Sequence, residues 1–146
     1  MSGFTAIGHV ALRVRDGERA LEFYSDRLGF AEILRLHRED GRLWLIYLRI
    51  TDDQFLEIFP DAVGERAPPP EANGLNHLCL TVDDLDRVAA QLGERGIPLT
   101  QRTKLGADGN LQAWIEDPDG NRIELMQMAE SGLQAQAIRR LAAGAA

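Results

Sequence analysis

Apolar and polar residues alternate along four short segments of the chain, and this period of two is typical of half-buried β-strands. The segments are residues 7–14, 54–59, 75–82 and 121–126. In two other segments, residues 18–28 and 85–95, apolar side chains recur every three or four positions. That spacing predicts two amphipathic helices, each following a strand.

The two helices and the strands around them occur at the same relative positions in both halves of the chain. Asp16 and Asp84 precede the helices as potential N-caps, and Gly29 and Gly96 follow them as potential C-caps. The offset between equivalent positions is 67 or 68 residues. We therefore expect an α+β fold of paired βαβββ modules that form a curved mixed sheet.

The repeat also predicts the domain organisation. Residues 5–128 are expected to form a single domain with halves 5–60 and 74–128. Residues 61–73 contain three successive prolines, which lack an N–H donor and disfavour regular structure, so a linker is predicted there. Residues 129–146 have apolar positions at helical spacing and predict a C-terminal helical tail.

Each half places one histidine and one glutamate on the less aliphatic face of its strands. Because side chains alternate along a strand, His9 lies opposite Val10 and Leu12, and Glu57 lies opposite Leu56 and Ile58. The second half repeats this with His77 and Glu124. A helix can cover the aliphatic face, so the other face is predicted to line a cavity of mixed polarity.

These four side chains form the candidate metal site. A lone histidine or glutamate in a strand is more often structural. Four of them at a repeated offset favour a divalent ion, provided that the halves pack about a pseudo-two-fold axis. Nitrogen and oxygen ligands suit nickel, zinc, cobalt or manganese, with iron less favoured. The predicted ligands of one divalent ion are His9, Glu57, His77 and Glu124.

Composition narrows the range of partners and locations. The chain has 146 residues, 45% of them hydrophobic, and a net charge of −7 without a basic cluster, which argues against nucleic acid and acidic membranes. There is no apolar run long enough to span a bilayer, and the first strand begins too early to leave room for a signal peptide. Cys79 is the single cysteine. A cytoplasmic protein is expected.

Five stretches of the sequence resemble the vicinal oxygen chelate superfamily. They are GHVALRV, LEFYSDRLGF, FLEIF, LNHLCLTVDD and EDPDGNRIELMQ, and together they extend over nearly all of residues 5–128. The resemblance implies two βαβββ halves that pair into a cup around a divalent metal. Within the superfamily, the four candidate ligands are similar to the metal-binding set of glyoxalase I, the lactoylglutathione lyase.

The resemblance to glyoxalase I is incomplete around the glutathione site. Arg13 matches an arginine that binds a glutathione carboxylate in the bacterial enzymes. Asp61 stands where those enzymes have an asparagine, four residues after the first glutamate. An acid cannot donate amide hydrogen bonds and repels a carboxylate, which argues against the same recognition of glutathione.

The resemblance implies a metal-dependent lyase or isomerase that moves a proton next to a carbonyl through a metal-bound enediolate. Glu124 and Glu57 are the candidate catalytic bases, and Glu124 is favoured because its position performs the transfer in many relatives. Arg13 and Arg122 could instead be solvated or paired charges. The candidate substrate-binding residues are Arg13, Arg122, Phe55, Phe59, Met126 and Trp114.

The sequence is also compatible with two other kinds of function. One is a metal-containing protein that binds an oxygen-rich small molecule, or confers resistance to it, without turnover. Another is a different superfamily enzyme, such as an epimerase or an extradiol dioxygenase. A homodimer is expected, since cups of this superfamily are often completed across a subunit interface.

Overall fold

The computed structural model describes residues 3–144, so that Met1, Ser2 and the last two residues of the predicted tail, Ala145 and Ala146, lie outside it. The chain divides into two compact units, with the boundary between Ala67 and Pro68. This boundary falls inside the segment predicted to be a linker. None of the helices within the described residues has the length and apolar character needed to cross a membrane.

The first unit is one βαβββ module with a four-stranded sheet. Its sheet order is β1-β4-β3-β2, in which β1 and β4 are parallel and the other pairs are antiparallel. The elements are, in chain order, β1 (His9–Arg13), α1 (Gly17–Leu21), a π-helical segment (Glu22–Arg27), β2 (Ala31–His37), β3 (Leu43–Thr51) and β4 (Gln54–Phe59).

The second unit repeats the module and adds a C-terminal helix. Its sheet order is β5-β8-β7-β6, with β5 and β8 parallel and the other pairs antiparallel. The prediction of paired βαβββ modules is confirmed, and each module has its own mixed sheet. The elements are β5 (Leu78–Thr81), α2 (Leu85–Glu94), β6 (Gln101–Leu105), β7 (Leu111–Glu116), β8 (Arg122–Gln127) and α3 (Leu133–Ala142).

The first helix of each unit begins at the predicted aspartate. The Asp16 carboxylate accepts hydrogen bonds from the backbone N–H groups of Glu18 and Arg19, and Asp84 accepts one from Arg87. These bonds satisfy donors of the first turn that have no partner within the helix. The two caps fix where the chain leaves β1, which begins with His9, and β5, which directly follows His77.

The helix predicted over residues 18–28 is α-helical only in its first part. From Glu22 onward it widens into a π-helix, in which the Leu28 N–H donates to the carbonyl of Phe23. Phe23 and Tyr24 are adjacent in sequence and both are buried. The smaller rotation per residue of a π-helix brings both aromatic rings to the buried side, which a regular α-helix does less well.

The aliphatic faces of the strands form the core, as their alternation predicts. α1 packs on β4 in the first unit, and α2 packs on β7 and β8 in the second. Burial of these faces leaves the histidine and glutamate on the opposite side of each sheet. The buried aliphatic residues of β1, β4 and β8 include Leu12, Leu56, Ile58, Ile123 and Leu125, while Leu78 and Leu80 of β5 are half-buried.

Asn110 ties the hairpin between β6 and β7 to the segment that leads into α3. Its side chain is fully buried, and its Oδ1 accepts a hydrogen bond from the Ala129 N–H at 2.9 Å. Its Nδ2 donates to Asp108 at 2.8 Å and contacts the Met126 sulfur at 3.4 Å. The amide therefore fixes the end of β8, the strand that carries Glu124.

We expect Asn110→Ala to destabilise the protein by about 1–3 kcal/mol, because it leaves the Ala129 N–H and the Asp108 carboxylate without this partner. The change would be measured as the free energy of unfolding in urea. Asn73→Ala, at an exposed position outside the helices and strands, is the matched control and should change stability by less than about 0.5 kcal/mol. Equal effects of the two substitutions would contradict the anchoring role of Asn110.

Candidate metal centre

The first unit brings His9 and Glu57 together across the parallel pair β1 and β4. Glu57 is the register partner of Ala11, which follows His9 by two residues, so that the two candidate ligands are diagonal neighbours. His9 Nε2 lies 3.4 Å from Glu57 Oε2. Glu57 retains 8% of its accessible surface, whereas His9 is exposed.

Tyr47 completes this group from the other neighbouring strand. It is the register partner of Glu57 on β3, and its hydroxyl donates a hydrogen bond to the Glu57 carboxylate. That bond, together with desolvation, raises the pKa of Tyr47. The same hydroxyl oxygen lies 3.3 Å from His9 Nδ1. Tyr47 therefore contacts both candidate ligands of the first unit.

Tyr47 was absent from the sequence-based set of site residues. The tight turn at Asp52 and Asp53 could have indicated it. If residues are paired outward from that turn along β3 and β4, the position opposite Glu57 is one residue away from Tyr47. An irregularity between Arg49 and Thr51 shifts the register at that point.

The second unit brings His77 and Glu124 together in the same way. Glu124 is the register partner of Cys79, again two residues after the histidine. His77 Nε2 lies 3.0 Å from Glu124 Oε2. His77 directly precedes β5, which begins at Leu78, whereas the sequence pattern places it inside the strand.

A polar and aromatic group surrounds His77. Asn76 Oδ1 lies 2.8 Å from His77 Nδ1 and accepts a hydrogen bond from Arg122 Nη1 at 3.1 Å. Asn76 Nδ2 donates to the Pro70 carbonyl at 2.7 Å. The Trp114 ring meets the His77 ring edge-on at 4.8 Å, and the Arg122 guanidinium lies 4.5 Å from the centroid of the Trp114 ring. Arg122 is thus held by two neighbours of His77.

The other predicted substrate-binding residues lie in the same two groups of strands. In the first unit, the Arg13 guanidinium lies 5.6 Å from the centroid of the Phe59 ring, and Phe55 packs edge-on against Tyr47 at 6.4 Å. In the second unit Met126 is buried. Arg13 is exposed and so is available to a ligand, whereas Met126 contributes mainly to packing.

The thiol of Cys79 lies beside Glu124. Desolvation raises its pKa most, followed by the charge of Glu124 and a hydrogen bond from the thiol to that carboxylate, and the result is a pKa of about 11. A smaller contribution comes from Asp108. At neutral pH the sulfur is therefore protonated, and it serves Glu124 as a weak hydrogen-bond donor.

Asp61 adopts a backbone conformation that suits asparagine. Its φ of 63° is the one positive value among the non-glycine residues of the described chain, 3–144. Asparagine and aspartate tolerate the left-handed region better than other residues with a Cβ. The asparagine found here in bacterial glyoxalase I is therefore compatible with the backbone, and the difference between the two lies in charge and hydrogen bonding.

The spacing of each His–Glu pair fits two adjacent ligands of one ion. Two donor atoms about 2.1 Å from a metal and about 90–110° apart are separated by about 3.0–3.4 Å. The observed separations are 3.4 Å in the first unit and 3.0 Å in the second. Over residues 3–144, no group of three or more His, Cys, Asp or Glu side chains is arranged to hold a metal. The complete four-residue set therefore stays a prediction.

Comparison with known sequences identifies relatives of the whole repeat. Residues 6–125 match the family model described as Glyoxalase/Bleomycin resistance protein/Dioxygenase superfamily. The chain is 33% identical to the uncharacterized protein YwkD of Bacillus subtilis, over 84% of this chain and 96% of that protein. It is 29% identical to a lactoylglutathione lyase of Pseudomonas aeruginosa, over 85% of this chain and 83% of the enzyme.

Comparison with solved structures gives the same family. The crystal structure of a glyoxalase family protein from Enterococcus faecalis matches with a TM-score of 0.75 and 33% identity, covering 85% of this chain and 98% of that one. TnmS3, an antibiotic binding protein from a Streptomyces strain, matches with a TM-score of 0.69 and 28% identity, covering 88% of this chain and all of that one.

We expect Cys79 to react slowly with thiol reagents in the metal-free protein, on the order of 100-fold more slowly at pH 8 than in the unfolded chain. The reason is the small thiolate fraction below a pKa of about 11, so the rate should rise with pH up to that value. Glu124→Gln removes the neighbouring negative charge and should speed the reaction. Because Cys79 is the single cysteine, a colorimetric disulfide reagent reports it directly. Glu57→Gln is the matched control, and an equal acceleration by both changes would contradict the Cys79–Glu124 contact.

Proposed function

The chain belongs to the Glyoxalase/Bleomycin resistance protein/Dioxygenase superfamily, and from this premise we propose that it is a metal-dependent lyase or isomerase of the glyoxalase I type. The observation that carries the proposal is the repeated pairing of one imidazole nitrogen with one carboxylate oxygen, in the same register, in both modules. The reaction would remove a proton from a carbon next to a carbonyl and return a proton to that carbon or to its neighbour.

In this proposal His9, Glu57, His77 and Glu124 together hold one divalent ion. The two imidazoles and two carboxylates favour nickel, zinc, cobalt or manganese. Iron sites that activate oxygen have fewer protein ligands, which leaves coordination positions open for oxygen and substrate. The ion would act as a Lewis acid that stabilises negative charge developing on two adjacent substrate oxygens. His9, His77 and Glu57 would thereby help to orient the substrate toward Glu124.

Glu124 is the proposed base, and Glu57 the carboxylate that stays in place. The Tyr47 hydroxyl donates to Glu57 and so restrains the movement of that carboxylate. Glu124 has the thiol of Cys79 in the equivalent role, and a thiol is a weaker donor than a phenol. Glu124 is therefore freer to accept a proton from a carbon acid within hydrogen-bond reach.

Arginine and aromatic side chains would select the substrate. Arg13 is exposed beside Phe59, and Arg122 lies on Trp114 with donors left after its bond to Asn76. Both suit a substrate with an anionic group attached to an apolar body. Asp61 disfavours a carboxylate near its own position, so the substrate need not be a glutathione adduct.

A second candidate is a binding protein without turnover. It is favoured by the likeness to TnmS3, an antibiotic binding protein. In that case the aromatic residues Phe55, Phe59 and Trp114 would line the ligand site, and no proton transfer would occur. The two candidates differ in a measurable way, because only an enzyme exchanges a substrate proton with solvent.

A homodimer and a cytoplasmic location also belong to this proposal. β2 is the edge strand of the first sheet, and it exposes Ile33, Leu34 and Leu36. An apolar, unpaired edge of this kind is suited to contact with a second subunit. The single cysteine of the sequence, Cys79, agrees with a reducing compartment such as the cytoplasm.

We expect the protein purified without chelators to contain one divalent metal ion per four-ligand site, and His77→Ala to lose it. Loss of one of the two imidazole donors weakens the site, so that less ion is retained through purification. Elemental analysis measures the metal. His37→Ala is the matched control, since His37 is the third histidine, lies at the end of β2 and should leave the metal content unchanged. A metal-free wild type after reconstitution would discard the site.

We expect α-proton exchange with deuterated solvent when the metal-loaded protein acts on the methylglyoxal–glutathione hemithioacetal, a 2-hydroxyketone or an acyl-CoA epimer. Proton NMR measures the exchange. Glu124→Gln should lower its rate by about 10²–10⁴-fold, the usual contribution of a general base, with a smaller loss in Glu57→Gln. The reverse order would exchange the roles of the two glutamates. If one of these three compounds binds but none of them exchanges its α-proton, the result would favour a binding protein without turnover.

A further inference from the structure

The hydrogen bonds of Asn76 determine which way its side-chain amide faces. One end of the amide lies 2.7 Å from the Pro70 carbonyl, which can only accept a hydrogen bond, so this end is the NH₂ group. The other end is then the oxygen. It is within 3.1 Å of Arg122 Nη1, which can only donate, and this agrees with the same orientation.

The orientation of Asn76 in turn determines the proton on His77. The Asn76 oxygen lies 2.8 Å from His77 Nδ1, and an amide oxygen can only accept. His77 Nδ1 must therefore carry a hydrogen. In the neutral ring Nε2 then has a free lone pair, and this nitrogen is 3.0 Å from Glu124 Oε2. Two acceptors cannot bond to each other, so this contact takes either a second proton on Nε2, as in the imidazolium, or a metal cation between the two atoms.

The first unit reaches the same arrangement with a different residue. The Tyr47 hydroxyl oxygen lies 3.3 Å from His9 Nδ1, and it can accept from Nδ1–H when its own proton points toward Glu57. His9 Nε2 is left facing Glu57 at 3.4 Å. The residue before His9 is Gly8, which has no side chain that could act as Asn76 does.

We propose that Asn76 is a positioning residue that keeps the proton of His77 on Nδ1 and so presents Nε2 toward Glu124 as a ligand. Because the same oxygen binds Arg122, Asn76 also ties the candidate anion-binding arginine to the histidine. The Pro70 carbonyl connects both to the proline-containing segment. The part of this inference that concerns a metal rests on the proposed function, whereas the part that concerns the proton does not.

The first arm of the test uses metal-free, ¹⁵N-labelled protein at a pH above the ordinary imidazole pKa of about 6.5. Long-range proton–nitrogen NMR identifies which nitrogen of each histidine carries the proton. We expect Nδ1–H for His77 in the wild type. In Asn76→Ala the proton should move to Nε2, where it can bond to Glu124, while His9 keeps its wild-type spectrum.

Two variants make this arm decisive. Asn76→Asp retains an oxygen that accepts from Nδ1–H and should keep the wild-type proton position. Asn73→Ala, an exposed asparagine three residues earlier, should change neither histidine. A proton on Nε2 in the wild type, or the same tautomer in Asn76→Ala as in the wild type, would overturn the proposal.

The second arm measures zinc affinity by competition with a chromophoric chelator. Loss of a residue that orients a ligand histidine typically weakens binding about 10–100-fold, and we expect this for Asn76→Ala but not for Asn76→Asp or Asn73→Ala. If the wild type binds no zinc, the proposed function fails while the first arm still decides the role of Asn76. If zinc binds equally to all four proteins, the metal-positioning role of Asn76 fails and the proposed function stands.

Discussion

The candidate site depends on the parallel pairing of the first and last strands of each module. In both sheets the glutamate is the register partner of the residue two positions after the histidine, Ala11 in one and Cys79 in the other. That register places a carboxylate diagonally beside an imidazole, on the face away from the helix. A slip of one residue would turn each glutamate into the aliphatic core. The connecting helices and turns serve the site by holding this register.

This register buries the Glu57 carboxylate, and neighbouring residues offset part of the free-energy cost of burying it. Glu57 lies between buried Leu56 and Ile58 and keeps little accessible surface of its own. A carboxylate in such a place is costly unless it meets donors or a cation. Tyr47 and His9 supply one hydroxyl and one imidazole, which is a partial solution for a charged group. A divalent ion would complete it, and buried Glu57 is therefore more informative about a metal than exposed His9 or half-buried His77.

The two modules share a backbone plan but surround their glutamates differently. Glu57 has Ala11 and Tyr47 on its neighbouring strands, whereas Glu124 has Cys79 and Trp114. Glu57 has a phenol beside it, whereas Glu124 has a protonated thiol and an indole. In the proposed function this difference separates the two glutamates, with Glu57 holding its position and Glu124 accepting a proton. Duplication supplies the symmetry, and substitutions on the adjacent strands remove it.

The sequence by itself determined the βαβββ repeat, the helix starts at Asp16 and Asp84, and the presence of one histidine and one glutamate on the less aliphatic face in each half. The helix starts follow from local sequence patterns within about ten residues. The repeat follows from comparing one half of the chain with the other. Tyr47, Asn76 and the packing of Arg122 on Trp114 were decided by the tertiary structure. Their roles depend on which strand lies beside which, on a register shift near Arg49, and on where the proline-containing segment places one carbonyl. Such contacts join residues far apart in sequence, and no periodicity within a strand encodes them.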